Sequence, residues 1–178
     1  MNDSIGEKPA SEESSKESES WFRYAIEATS DGLYDMDVVK GTARCNSRYY
    51  NMCGYELYEL PPTTETWLSL LHPDDRDSAF SKLSEQISQK YGYLENEYRL
   101  KHKDGSWVWI LDRSKIVEYD QAGKTLRIVG THIDITEHKK TVEEHRKELL
   151  FTAAVIENVA DGICVCHNIV DFPYVKFT

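Results

Sequence analysis

Three runs rich in aromatic and β-branched residues, 93–102, 107–119 and 125–134, follow one another with only short turn-forming loops between them. The first loop is Lys103-Asp104-Gly105-Ser106, and Asp-Gly supplies the positive-φ residues that a tight hairpin demands. The second is Asp120-Gln121-Ala122-Gly123-Lys124. Strands joined so closely must be antiparallel, because a parallel crossover needs a dozen or more residues. In the first run Leu94, Tyr98 and Leu100 share one face, and Glu95, Glu97, Arg99 and Lys101 share the other. That alternation is the mark of a sheet with one buried face.

Upstream the pattern changes period. Trp21, Tyr24, Ala25 and Ala28 recur at helical spacing until the turn signal Ser30-Asp31-Gly32. Residues 33–39 and 42–45 then read as two short strands around the tight turn Lys40-Gly41. Short helical pieces are expected over 47–52 and 55–60, before Pro61-Pro62 interrupts the chain. Residues 67–71 form an apolar turn that leads into a helix at Pro73. Proline suits the first helical position, and Asp74 and Asp75 complement the dipole of the first turn. Phe80, Leu83 and Ile87 continue that helix to about residue 90 with one buried face. Two strands, several helices and three strands make an α+β domain, with helices covering one face of an antiparallel sheet.

The ends differ from this middle. Residues 1–20 hold six acidic residues, two lysines and no aromatic residue, and read as a disordered acidic leader. From Thr136 a charged helix begins. Ile135, Val142, Leu149 and Ile156 stand seven residues apart, but the intervening seam positions His138, His145 and Thr152 are polar, so the coiled coil is a short one. The segment 25–33 reappears as 155–163 with four of nine positions identical. A second unit of the same kind is therefore expected near residue 151, with strands over 163–166 and 174–178. So short a stub cannot bury a core, so the chain reads as a piece of a longer protein. The expected organisation is a leader (1–20), a domain (21–135), a linker helix (136–150) and the truncated start of a second domain (151–178).

A net charge of −10 argues against nucleic acid or anionic lipid as the main partner, since both need a basic footprint. No run of apolar residues is long enough to span a membrane, and the N-terminus lacks the pattern of a signal peptide, so a cytoplasmic location is expected. Cys45, Cys53, Cys164 and Cys166 form no CxxC pair and are read as reduced thiols.

Several of these residues, taken in order, resemble the PAS domain family, in the variant common in bacterial multi-domain sensors. They are Glu97-Tyr98-Arg99, Lys103-Asp104-Gly105, Trp109, Gly130 and Asp134-Ile135-Thr136. Ile26-Glu27 to Asp31-Gly32-Leu33-Tyr34 is similar to the family's entry helix and first strand. Cys45-Asn46, Tyr49, Gly54-Tyr55 and Leu71-His72-Pro73-Asp74-Asp75 resemble its middle motifs. The likeness covers about residues 22–138 and begins again in the stub. It implies a five-stranded antiparallel sheet of order 2-1-5-4-3, with helices cupping one face around a possible ligand pocket. It also implies a sensing and relay role. Asp134, Ile135 and Thr136 would be the relay from the last strand to the exit helix.

No catalytic or metal site emerges. Cys45 lies outside the Asn-Cys-Arg-Phe-Leu-Gln run of flavin-binding relatives, and the helix over 74–90 carries no histidine for haem. His72 sits beside Pro73 in a turn-like stretch, where a cap or a solvent-facing role is commoner, and haem through His72 or His132 is disfavoured. The cofactor is therefore unknown, with flavin and haem disfavoured. His145-Arg146-Lys147-Glu148-Leu149-Leu150 lacks the acid and proline of a phosphoacceptor box, and Cys164-Val165-Cys166 lacks further metal ligands. Tyr34, Met36, Tyr49, Met52, Trp67, Phe80, Leu83, Trp109 and Ile128 are the candidates for core and pocket lining.

The expected function is a non-enzymatic sensory relay module that dimerises through its flanking helices. It would bind a small ligand or partner and drive an output domain in the same polypeptide, a histidine kinase first and a diguanylate cyclase next. The rival expectation is a ligand-free scaffold with a filled core that only dimerises or docks partners. A cavity lined by polar as well as aromatic groups would favour sensing.

Overall fold

The computed structural model describes residues 10–89 and 93–170. Helix α1 (Ala10–Thr29) leads into β1 (Gly32–Asp37) and β2 (Thr42–Cys45). Helices α2 (Ser47–Asn51), α3 (Thr64–Leu70) and α4 (Pro73–Gln89) follow. Then come β3 (Tyr93–Lys101), β4 (Trp107–Tyr119), β5 (Thr125–Asp134) and α5 (Thr136–Val170). The five strands form one antiparallel sheet in the order β2-β1-β5-β4-β3, as the motifs implied. The chain divides into two compact units, Met1–Ile135 and Thr136–Thr178.

Local chemistry sets the element boundaries. Asn46 accepts from the Tyr49 N–H as the N-cap of α2 and from the Leu33 N–H, and donates to the Asp31 carbonyl. One side chain thus ties α2 to the start of β1. Thr63 caps α3 by accepting from the Thr66 N–H. Asp75, in the first turn of α4, takes a two-pronged hydrogen bond from the Arg99 guanidinium at 2.7 and 2.8 Å and also accepts the Arg99 backbone N–H. This bonding fastens α4 to β3. Gly105 turns the β3–β4 hairpin at φ 93° while Asp104 accepts from the Ser106 N–H.

The concave face carries two core clusters. One gathers Cys53, Leu71, Ala79, Tyr98, Leu100 and Ile110, and the other Tyr34, Cys45, Tyr50, Ile116 and Ile128.

Four expectations are corrected. Helix α1 begins at Ala10 rather than Trp21, so half of the expected disordered leader is helical. That segment holds no Gly or Pro, and a nucleated helix extends at little cost. Residues 55–60 form no helix, because Tyr58 sits at φ 61°, outside right-handed helical space. Of the apolar turn expected at 67–71, residues 67–70 are the last part of α3 and Leu71 is its extended C-cap. Residues 163–166 are not a strand but continue α5, where each backbone group finds its partner within the helix; an isolated strand there would leave them unpaired. The strand expected at 174–178 and residues 1–9 lie outside the described residues.

Candidate functional site

The period of two along β4 points Val108, Ile110, Asp112, Ser114 and Ile116 at the helices, so two polar residues stand in an otherwise apolar row. Register then gathers their neighbours. Asp112 lies opposite His132 of β5 on one side and Asn96 of β3 on the other. Tyr34 of β1 lies opposite Gly130, where a Cβ would stand 2.5 Å from the Tyr34 hydroxyl. Glycine is what lets the tyrosine cross the sheet face towards Asp112.

The result is a buried polar chain. The Tyr34 hydroxyl donates to Asp112 Oδ1 at 2.9 Å, the Tyr98 hydroxyl and His132 Nε2 are 2.9 Å apart, and His132 Nε2 lies 3.8 Å from Asp112 Oδ1. Burial pushes the Asp112 carboxyl up to about 7, and hydrogen bonds from Tyr34 and Tyr98 act against that rise. Burial also pushes His132 down to about 3, so its imidazole is neutral at ordinary pH. His132 is 2% exposed, and its Nδ1 has no hydrogen-bond partner. The ring is walled by tyrosines: Tyr49 stacks on it at 4.6 Å, with Tyr34 and Tyr98 edge-on at 5.3 and 5.9 Å.

A cavity of about 50 Å³ opens among these groups, between the sheet and α2, α3 and α4. Tyr34, Tyr49, Trp67, Tyr98, Asp112 and His132 are among its walls. A second void of about 30 Å³ lies across Tyr49 and Trp67, where the buried Tyr50 hydroxyl also lacks a partner. A larger groove of about 570 Å³ runs along β1, β2 and β5, but Asp35 there is already bonded by Arg44 and Arg127, at 2.6 Å each.

A sequence model of the PAS fold matches residues 42–132, just over half the chain. This protein belongs to the PAS family. The chain is 26% identical over 147 residues to the sensor protein FixL of Bradyrhizobium diazoefficiens, a match that covers 79% of this chain but 28% of FixL. The crystal structure of a sensory box histidine kinase/response regulator from Burkholderia thailandensis superposes with a TM-score of 0.61 at 28% identity. That match covers 72% of this chain and 96% of the other. The N-terminal domain of a diguanylate cyclase with a PAS/PAC sensor from Marinobacter aquaeolei shares the fold, with a TM-score of 0.55 at 22% identity over 61% of this chain and 98% of that one. The chain is thus a PAS sensory domain homologous to parts of sensor kinases, and it spans little more than a quarter of FixL.

The PAS cavity collects five of the nine lining candidates: Tyr34, Met36, Tyr49, Trp67 and Leu83. The other four stand apart from it. Met52 packs against the first core cluster, and Ile128 is fully buried within the second. Phe80 is 47% exposed, because α4 turns the small Ala79 to the sheet instead. Trp109 lies on the opposite parity of β4, beneath the Arg99 guanidinium at 5.1 Å. Sequence reasoning passed over Asn96, Asp112 and Ser114, and weighed His132 only for haem. The signal at Asp112 and Ser114 was a pair of polar residues in an inward row that runs from Ile110 to Ile116.

Of the relay residues, Asp134 ends β5 opposite Ile110, the Ile135 N–H donates to the Trp109 carbonyl at 2.9 Å, and Thr136 opens α5. Cys45 and Cys53 are free and buried, and burial pushes both thiols up to about 12. Neither is poised as a nucleophile. His72 lies outside the cavity, 4.4 Å from the Trp107 ring centroid. Among the described residues no metal-binding cluster occurs, and no helix is long and apolar enough to cross a membrane.

Proposed function

We propose that this PAS domain is the sensor of a larger cytoplasmic signalling protein. A small molecule enters the cavity and alters the buried chain of Tyr34, Asp112, Tyr98 and His132. Asp112 and His132 sit two residues from Ile110 and Asp134, so a change in their bonding pulls on the end of β5. Asp134, Ile135 and Thr136 carry that strain into α5, and α5 drives an output domain, a histidine kinase first and a diguanylate cyclase next. The chain itself performs no catalysis, and it pairs with a second copy through its flanking helices. Val142, Leu149 and Ile156 are exposed at heptad spacing on α5, which suits such pairing.

The observation that carries this reading is a cavity whose walls combine aromatic faces with a buried acid and an unpaired imidazole nitrogen. Its small size is what favours the second reading, a PAS scaffold with a nearly filled core. Flavin and haem fit neither reading, since about 50 Å³ cannot seat either group without a large opening of the fold. Native mass spectrometry and absorption spectroscopy of the purified protein separate the two. A stoichiometric small adduct, lost on denaturation, supports sensing. A bare mass that no added small molecule changes supports the scaffold. ATP-dependent self-labelling of this chain would overturn the non-catalytic reading.

A further inference from the structure

The cavity's chemistry restricts what can enter it, a step that rests on the ligand-binding reading above. Its walls offer acceptors and π faces. Among the described residues lining it there is no Lys or Arg, and the one histidine is neutral. Lys82 of α4 comes nearest through a lining residue, but it is exposed and bonded to Asn96 Oδ1. The titratable groups around Asp112 are Tyr34 from β1, Tyr49 from α2, Tyr98 from β3 and His132 from β5, none of which carries a positive charge.

The surroundings of Nε2 point to what the orphaned nitrogen wants. His132 Nε2 lies 2.9 Å from the Tyr98 oxygen and 3.8 Å from Asp112 Oδ1, and the nearby carboxyl favours placing the ring proton on Nε2. A neutral imidazole protonated at Nε2 leaves a bare lone pair on Nδ1. Once Asp112 ionises, its carboxylate and His132 Nδ1 therefore both ask for donors, in a space walled by four aromatic rings. An anion would meet the buried carboxylate with no compensating charge. An apolar guest would leave Nδ1 unsatisfied. A cation with N–H donors meets all three demands at once, and aromatic faces attract such ions.

We propose that this cavity takes a small alkylammonium ion, with its N–H groups on Asp112 and His132 Nδ1 and its alkyl part against Tyr34, Tyr49 and Trp67. A space of about 50 Å³ holds roughly three to five water-sized groups, which sets the number of heavy atoms.

The test is titration of the whole chain with dimethylammonium chloride, set against sodium chloride, acetone and sodium acetate, and followed by backbone amide shifts. The expected result is saturable binding of dimethylammonium alone. Its affinity should rise about tenfold between about pH 6 and pH 8 as Asp112 ionises. Asp112→Asn should weaken it by about tenfold or more. The pH profile of the unaltered protein makes the test independent of how well the variant folds. Equal or tighter binding of acetone or acetate in the cavity would overturn the cation inference and leave the ligand-binding reading standing. No cavity response to any of the three organic probes would remove both.

Discussion

Asp112→Asn separates two opposed titrations that hide one another in the unaltered protein. The folded Asp112 carboxyl titrates at about 7 against an ordinary 3.8, so the folded state keeps a proton that the unfolded chain has released. Its contribution to stability is complete below about pH 3.8 and is lost as pH rises to about 7. The slope is about 1.4 kcal/mol per pH unit, and the whole loss is about 4 kcal/mol. His132 acts in the reverse sense. Its folded value of about 3 lies below the ordinary 6.5, so stability is lost as pH falls through that window. Between about pH 4 and 6.5 the two slopes cancel. Asparagine keeps a carbonyl acceptor for the Tyr34 hydroxyl but cannot ionise, so the variant retains only the histidine slope. Urea unfolding of both proteins at intervals from pH 4 to pH 7 measures this. The stability of the variant relative to the unaltered protein should climb by about 4 kcal/mol over that range. A difference that stays constant with pH would refute the buried, uncompensated acid on which the site rests.

Other substitutions probe the neighbouring contacts. Gly130→Ala puts a Cβ 2.5 Å from the Tyr34 hydroxyl and 2.7 Å from the Arg113 carbonyl, and should cost about 1–3 kcal/mol in denaturant unfolding. Asp75→Asn breaks the two-pronged bond to Arg99 and should cost about 1.5–3 kcal/mol in the same assay. Asp134→Ala should leave the melting temperature of the domain within a few degrees, yet abolish the output response of the full-length protein. An unchanged response would remove Asp134 from the relay.

Much of the scaffold was legible because its signals are local. The alternation in 107–119 and the Asp-Gly turn before it are read from adjacent residues, and β4 and β5 occupy the expected positions. Pro73, Asp74 and Asp75 likewise mark the start of α4, whereas the sheet order came from the resemblance to the PAS family. What escaped depends on distant partners. Phe80 and Ala79 both fit a helical stripe, and only the depth of the cup under α4 decides which one faces in. Trp109 is as apolar as Ile110, and parity in the finished sheet puts it outside. Asp112 and His132 are separated by twenty residues, and antiparallel register alone makes them neighbours. Residues 163–166 carry a strand-like sequence, yet α5 runs through them.

The claim beneath all of this is that the state of the cavity is felt where β5 ends. Amide shifts of residues 130–135, followed from pH 5 to pH 9 in the unaltered chain and in Asp112→Asn, test it directly. An inflection near pH 7 is expected at the Ile135 amide in the unaltered protein, and its disappearance in the variant. An Ile135 amide that titrates alike in both proteins would contradict it.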